Sequence, residues 1–146
     1  MVLSYSSQRK EHALHNYEAF LYLIKAKDDQ FLDWAITTAY YSANHYVKSK
    51  IFPVKEKVNS KDIIYEEFDA YCIKKNKYKG RSLHKVLIDL AYRELPNEIA
   101  GSLKKLHDYS DTARYHDYKL SMHGKKDSLK KDIQSKMDKV KDFCTI

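Results

Sequence analysis

Residues 33 to 47 read DWAITTAYYSANHYV, and this stretch decides the fold that the sequence predicts. It holds the only Trp of the chain and a Tyr pair, and neither Gly nor Pro interrupts it. Its apolar and small side chains recur at helical spacing, which predicts the buried face of a helix. Small residues on such a face let a neighbouring helix approach closely. The predicted core stripe consists of Leu32, Ala35, Ile36, Ala39, Ala43, Tyr46 and Val47.

A second stripe of the same predicted helix is aromatic and polar. It consists of Trp34, Thr38, Tyr41, His45 and Lys48. Their spacing of four, three, four and three residues places all of them on one face of an α-helix. Two interpretations stay open. The stripe is a second packing face, in its strongest form a contact between two copies of the chain, or it is a ligand face on which an aromatic ring stacks against bases.

The rest of the chain favours helices over a β fold. Among 146 residues there are only 3 Gly and 2 Pro, too few for the turns that many hairpins require. The residue pattern predicts a polar loop over 53–60 and a short third helix over 61–75. It also predicts a late helix over 97–118 and a basic amphipathic C-terminal helix over 125–146. We therefore predict an all-α, antiparallel up-down bundle of four to six helices, formed by one domain over residues 1–146.

Charge and composition narrow the functional classes. The formal net charge is +7, which permits contact with phosphates or with an acidic partner. The cysteines, Cys72 and Cys144, lie far apart and form no CxxC pair, so we expect free thiols in a reducing compartment rather than a disulfide or a zinc site. The N-terminus is too polar for a signal peptide, and no apolar stretch is long enough to span a membrane. The expected location is the cytoplasm.

Four segments carry a family resemblance. They are HALHNYEAFLYL at 12–23, DWAITTAYYSANHYV at 33–47, SLHK at 82–85 and IAGSLKKLHDYSDTARY at 99–115. Their order resembles the HEPN superfamily, the small all-α nucleotide- and RNA-associated domains of prokaryotic defence systems. The most telling features are the acidic-Trp-Ala start with a Tyr pair in the second helix, and the final ARY.

The resemblance implies an up-down bundle that forms a homodimer with its site at the two-fold interface, without a metal or another cofactor. Active HEPN members are metal-independent ribonucleases. Their late helix carries an Arg, four to six further residues, a His and often a Tyr two positions later. His116 and Tyr118 match the second half of this pattern, but positions 109 to 111, where the Arg is expected, hold Tyr, Ser and Asp. Arg114 lies only two residues before His116.

Metal-free RNA cleavage needs a base, an acid and a cation on the phosphate, for which His and Arg are suited. Arg114, His116 and Tyr118 are therefore the predicted catalytic residues, with His84 or His45 in support. On an ideal helix Arg114 and His116 point about 200° apart, whereas Arg114 and Tyr118 share a face. A structural role stays open as well, in which Arg114 pairs with Asp111 and stacks on Tyr118.

Binding residues are predicted from the second stripe and from the basic turn KKNKYKGR at 74–81. The predicted nucleotide- or RNA-binding set is Trp34, Tyr41, His45, Lys79, Arg81 and His84. Three hypotheses follow: a toxin or defence ribonuclease with a diverged site, a non-catalytic module that binds nucleotide or RNA, and a helical adaptor that binds only protein. The expected partners are RNA or a nucleotide, a second copy of the chain, and a nucleotidyltransferase-type protein of a toxin–antitoxin pair.

Overall fold

The computed structural model describes residues 3–75, 80–121 and 124–146. In chain order its elements are α1 (Tyr5–Ile24), α2 (Leu32–Ile51), β1 (Val54–Val58), β2 (Lys61–Tyr65), α3 (Phe68–Lys75), α4 (Leu83–Glu94), α5 (Asn97–Asp111) and α6 (Lys126–Cys144). A short 3₁₀ turn lies between α1 and α2, and a π-helical turn, Thr112–His116, extends α5. The described part of the chain is therefore mostly helical, as predicted.

The second helix is the centre of the packing. It contacts α1, α4, α5 and α6, and every residue of its predicted core stripe is buried. Helix α1 approaches it closely, because the small side chain of Ser42 reaches across and its Oγ donates a hydrogen bond of 2.8 Å to the carbonyl of Ala13. The up-down topology expected from the resemblance stays a prediction.

A two-stranded hairpin, β1–β2, replaces part of the predicted third helix. Residues 61–65 form an antiparallel strand paired with residues 54–58, and only the second half of the predicted segment is helical, as α3. Asn59 and Ser60 both have positive φ, at 52° and 67°, which is the backbone of a two-residue hairpin turn. The prediction of a helix over 61–65 and of a loop over 53–60 was wrong, because β-branched residues flank a turn that has no Gly to reveal it.

The predicted late helix also ends sooner than expected. Regular α-helix stops at Asp111, and the π-helical turn closes with a hydrogen bond of 2.7 Å from the amide of Asp117 to the carbonyl of Thr112. Asp117 is already extended, at φ −155° and ψ 88°. The prediction of a continuous α-helix through residue 118 was therefore wrong. The directions of the side chains after residue 111 cannot be read from α-helical spacing.

The C-terminal helix was predicted correctly, as α6, and packs against α2 and α5. Its buried side is formed by Leu129, Ile133, Met137, Val140 and Cys144. Both cysteines of the chain are buried and unpaired. Within the described ranges, no helix is long and apolar enough to cross a membrane.

Candidate functional site

Arg114 is held against the second stripe of α2. Its Nη1 donates a hydrogen bond of 2.9 Å to the hydroxyl of Tyr41, and its Nη2 donates to the hydroxyl of Tyr115. The guanidinium carbon lies 5.6 Å from the ring centroid of Tyr41 and 4.7 Å from that of Tyr115, within range of cation–π attraction. Arg114 is thus positioned by two aromatic side chains, and it remains exposed to solvent.

The π-helical turn explains this position. Ala113 is buried, and the turn that contains it packs on α2. Since the preceding residue points inward, Arg114 emerges at the rim of the contact between the turn and α2. A guanidinium has five N–H donors, of which two are used by Tyr41 and Tyr115. The remaining donors are available to an anion.

A groove of about 220 Å³ lies beside Arg114. It is lined by Asp33, Trp34, Thr37, Ala113, Arg114, Tyr115 and Tyr118. Trp34 is 58% exposed and Tyr118 is 65% exposed, although large aromatic side chains are usually mostly buried. The volume is below the range of typical drug-sized pockets and suits a group about the size of a single base.

A cluster of rings continues from Tyr41 toward α4 and α5. The Tyr40 hydroxyl lies 2.6 Å from Nδ1 of His84 and receives a hydrogen bond of 3.3 Å from the side-chain amide of Asn44. Because the buried Tyr40 hydroxyl accepts a hydrogen bond from Asn44, its own proton is donated to Nδ1 of His84. The neutral His84 then carries its proton on Nε2. The ring centroids of His84 and His107 lie 5.1 Å apart.

Electrostatics keep His84 neutral over a wider pH range than a free histidine. Burial lowers the pKa of His84, and the nearby charges of His107 and Arg114 lower it further, while Asp111 acts in the opposite direction. A neutral imidazole beside a cation can accept a proton near neutral pH. His84 therefore places a neutral imidazole near the cation Arg114, with its Nδ1 occupied by the Tyr40 hydroxyl.

The three predicted catalytic residues do not share one site. Arg114 and Tyr118 line the same groove. His116 is 67% exposed at its side chain, and its Nε2 lies 3.3 Å from Oδ2 of Asp111, so it contacts the end of α5 instead. The expected pairing of Arg114 with an acidic neighbour is wrong, since Arg114 has tyrosine partners and no carboxylate within ion-pair distance among the described residues.

The predicted binding residues also lie in separate regions of the structure. Trp34, Tyr41 and His84 surround the region of Arg114. His45 lies one turn further along α2, buried against α1. Arg81 forms an ion pair with Asp89 and lines cavities beside α3 and α4. Lys79 lies outside the described residues.

Sequence reasoning did not select His107 or Tyr40 for the site. His107 and Arg114 are seven residues apart, which would place them near one face of an ideal helix, but the π-helical turn that begins at Thr112 makes this spacing a poor guide. Tyr40 gave no signal in the sequence, because its role depends on His84, 44 residues away.

Comparisons with protein-family models, with curated proteins and with solved structures gave no match. The function must therefore be argued from the residues themselves. In the described part of the chain, no group of three or more His, Cys, Asp or Glu side chains could hold a metal ion.

Proposed function

We propose that this chain is a HEPN-like domain that binds RNA or a nucleotide through the groove between α2 and the π-helical turn. The proposal rests on the environment of the Arg114 guanidinium. It is fixed by Tyr41 and Tyr115, it has no carboxylate partner among the described residues, and it borders a groove with exposed aromatic rings. A phosphate would occupy the free donors of Arg114, since Arg binds phosphate oxygens in a bidentate manner.

The aromatic rings that line the groove would bind the base of the ligand, as Arg114 would bind its phosphate. Trp34 and Tyr118 present exposed ring surface to the groove, and stacking of a base on such a ring contributes about 1–3 kcal/mol. Stacking tolerates any base, so we expect little sequence preference. Asp33 also lines the groove, and its carboxylate would accept a hydrogen bond from an exocyclic amine.

Trp34 provides the test, because it is the only Trp of the chain and lies in the groove. Titration with a nucleoside monophosphate and with a short single-stranded RNA should change its fluorescence. Arg114→Ala should weaken both interactions at least tenfold. The matched control is Lys139→Ala, which removes an exposed cation from α6 that pairs with Glu98 at 3.1 Å.

Two outcomes would reject this proposal. The first is a wild-type protein that binds neither ligand at low salt. The second is RNA binding whose affinity does not change with salt, because phosphate contacts weaken steeply as salt rises. In the second case the protein-binding adaptor becomes the better interpretation of the exposed aromatic face.

A second candidate function, metal-independent RNA cleavage, is favoured by the His pair next to Arg114. For Nε2 of His84 to act as a base, the ring proton would have to move to Nδ1, which would then donate to the Tyr40 hydroxyl; alternatively, Nδ1 would have to exchange its partner Tyr40 for the ribose 2′-hydroxyl. With His84 as the base, the 2′-oxygen attacks phosphorus and the 5′-oxygen leaves with a proton from His107. The products are a 2′,3′-cyclic phosphate and a 5′-hydroxyl, with Arg114 stabilising the charge on phosphorus.

Point variants separate this candidate from the trio predicted by sequence. In a chelator-containing RNA degradation assay, His84→Ala and Arg114→Ala should each lower the rate at least about 100-fold. His116→Ala should change the rate less than threefold, because His116 contacts Asp111 and lies outside the groove. A severe loss in His116→Ala with an active His84→Ala would instead favour Arg114, His116 and Tyr118. If wild-type protein leaves RNA intact under all conditions, cleavage is rejected and binding alone remains.

The resemblance further leads us to propose a homodimer and a role in a toxin–antitoxin or defence pair with a nucleotidyltransferase-type partner. The exposed rings of Trp34, Tyr115 and Tyr118 supply surface for a contact between two copies. Light scattering tests the dimer, and a monomer at all concentrations would reject it. Co-purification with a protein encoded next to this chain tests the pair.

A further inference from the structure

A second group of basic side chains lies between α1 and α2, away from the groove. It comprises Arg9 and His12 of α1 with His45 and Lys48 of α2, and we name it the α1–α2 basic cluster. The rings of His12 and His45 stack at 3.9 Å between centroids with 20° between their planes. Arg9 Nη1 lies 3.2 Å from Nδ1 of His45. His12 is exposed, so the cluster is open to solvent on the α1 side.

The hydrogen bonding of His45 fixes its tautomer. A guanidinium can only donate, so Nδ1 of His45 accepts from Arg9 and the ring proton resides on Nε2. Burial, followed by the charges of His12, Lys48 and Arg9, lowers the pKa of His45 to about 3. His45 therefore stays neutral at physiological pH. The Nε atom of Arg9 is buried and has no hydrogen-bond partner.

The positive charge of the cluster is not neutralised locally. Among the described residues, no carboxylate lies within ion-pair distance of Arg9 or Lys48. Lys48 is partly buried, with its Nζ 4.7 Å from the ring centroid of Phe68. Burial lowers its pKa, and Asp69 acts against this effect from the start of α3. Two cations and a neutral N–H donor converge here without a counter-ion.

The cluster and the groove lie on the same face of α2. Tyr41, which holds Arg114, is four residues from His45 and seven from Lys48, distances of about 6 and 10 Å along the helix axis. The charge of Lys48 also lowers the pKa of His84, whose ring lies 6.0 Å from that of Tyr41. Proteins that bind single strands use such a positively charged track for the backbone.

We propose that the α1–α2 basic cluster binds a phosphate of the same RNA strand whose neighbouring nucleotide occupies the groove at Arg114. This inference rests on the proposed function and specifies its ligand. The ligand is an oligonucleotide with at least two phosphates, because a nucleoside monophosphate cannot reach both Arg114 and Arg9.

Length-dependent binding tests this assignment. Wild-type protein, Arg9→Gln, Lys48→Gln and the control Lys50→Gln are titrated with a nucleoside monophosphate and with an RNA octamer at several salt concentrations. Lys50 is on the same helix but faces α6, with its Nζ 5.4 Å from the ring of Phe143. Circular dichroism confirms that each variant is folded, and two independent variants keep the test valid if one does not fold.

We expect Arg9→Gln and Lys48→Gln each to weaken octamer binding three- to tenfold. Each should lower the logarithmic salt slope by about 0.7, the value for one phosphate contact on a single strand. Binding of the monophosphate should change less than twofold, and Lys50→Gln should behave as wild type. Octamer affinity and salt slope that stay at wild-type values in both variants would overturn the inference.

The same titrations separate this inference from the proposed function. If Arg114→Ala abolishes binding of both ligands while the cluster variants bind normally, only the inference fails. If the cluster variants lose octamer binding and Arg114→Ala retains binding of both ligands, the groove proposal fails, and with it the placing of one strand on both sites, while phosphate binding at the cluster stands. A wild-type protein that binds neither ligand rejects both.

Discussion

Arg114 donates a hydrogen bond of 2.9 Å to the hydroxyl of Tyr41, although 73 residues separate the two positions in the chain. This contact joins the π-helical turn to the exposed face of the central helix. It leaves the guanidinium between two tyrosine rings with donors to spare. The candidate site therefore depends on a tertiary contact, and its predictions can be tested at both ends of that contact.

Replacing Tyr41 by Phe should weaken ligand binding with little effect on stability. The variant keeps the ring beneath Arg114 but removes the acceptor for Nη1, so the guanidinium becomes less fixed. We expect a three- to tenfold loss of RNA affinity in Trp34 fluorescence titrations. The free energy of unfolding should fall by about 1 kcal/mol or less, because the bond is exposed. RNA affinity equal to that of wild type would show that Tyr41 does not position Arg114.

Replacing Tyr40 by Phe should lower the free energy of unfolding by about 1–3 kcal/mol in urea denaturation. Tyr40 is fully buried, and its hydroxyl serves both Asn44 and His84, so the variant removes a partner from the buried Asn44 amide and from the half-buried His84 ring. Tyr46→Phe is the matched control on the same helix. Tyr46 is buried, and its hydroxyl has no hydrogen bond among the described residues. Equal losses in the two variants would contradict the Tyr40–His84 contact.

The stability of the protein should fall as pH is lowered from about 6.5, because of His45. Its pKa in the folded state is about 3, below the ordinary histidine value of 6.5, so between these values the unfolded chain binds an additional proton. The contribution is present above pH 6.5 and is lost as pH falls toward 3. In this window His45 contributes a slope of about 1.4 kcal/mol per pH unit.

The measurement compares wild type with His45→Gln by urea denaturation at pH 7, 6 and 5. The variant should have a shallower dependence of unfolding free energy on pH. His116→Gln, at an exposed position, serves as the control. His12 and His84 also have lowered pKa values and act in the same direction, so some dependence should remain in the variant. An unchanged slope in His45→Gln would contradict the burial of a neutral His45.

Glu56 should dominate the acid sensitivity of the hairpin. Its carboxylate forms ion pairs with Arg93 and, at 2.8 Å, with Lys75, and it accepts a hydrogen bond of 3.2 Å from the Tyr71 hydroxyl. Burial raises the pKa of Glu56, but the hydrogen bonds and charges of Lys75 and Arg93 together outweigh burial and lower it to about 2. The stabilisation is present above pH 4.5 and is lost as pH falls through 2.

We therefore expect Glu56→Gln to lower the free energy of unfolding by about 2 kcal/mol at pH 7. The variant should also lose much of the acid dependence that wild type has between pH 4.5 and 2. Glu66→Gln, at an exposed position next to the hairpin, should change stability by less than about 0.5 kcal/mol. Similar effects from the two substitutions would argue against a buried ion-pair network at Glu56.

The hairpin shows why part of the fold could not be predicted. Ile63, Ile64 and Phe68 have spacing that fits a helix, and Asn59–Ser60 is a weak turn signal. An isolated hairpin is marginally stable, and this one gains support from elsewhere. Glu56 binds α4 through Arg93, and the ring of Tyr65 meets a ring of α3. These contacts, which local pattern does not contain, select strand over helix.

The ring-bearing face of the candidate site was predictable from the sequence, but the position of His116 was not. Trp34 and Tyr41 were selected from helical spacing, and the structure places both beside Arg114. His116 was selected from a motif that assumes a regular helix, and the π-helical turn sends it toward Asp111. The change from α-helix to π-helical turn altered the side-chain directions on which the prediction of His116 depended.

The sequence by itself determined that α2 has a core face and a polar aromatic face, because the spacing of side chains on a helix is local geometry. It equally determined the buried side of α6. Only the tertiary structure decided what the polar and aromatic side chains of α2 meet. His45 meets Arg9, Tyr40 meets His84 and Tyr41 meets Arg114, across 36, 44 and 73 residues. Such pairs form because packed helices bring distant segments together, and no periodicity within one helix encodes its neighbours.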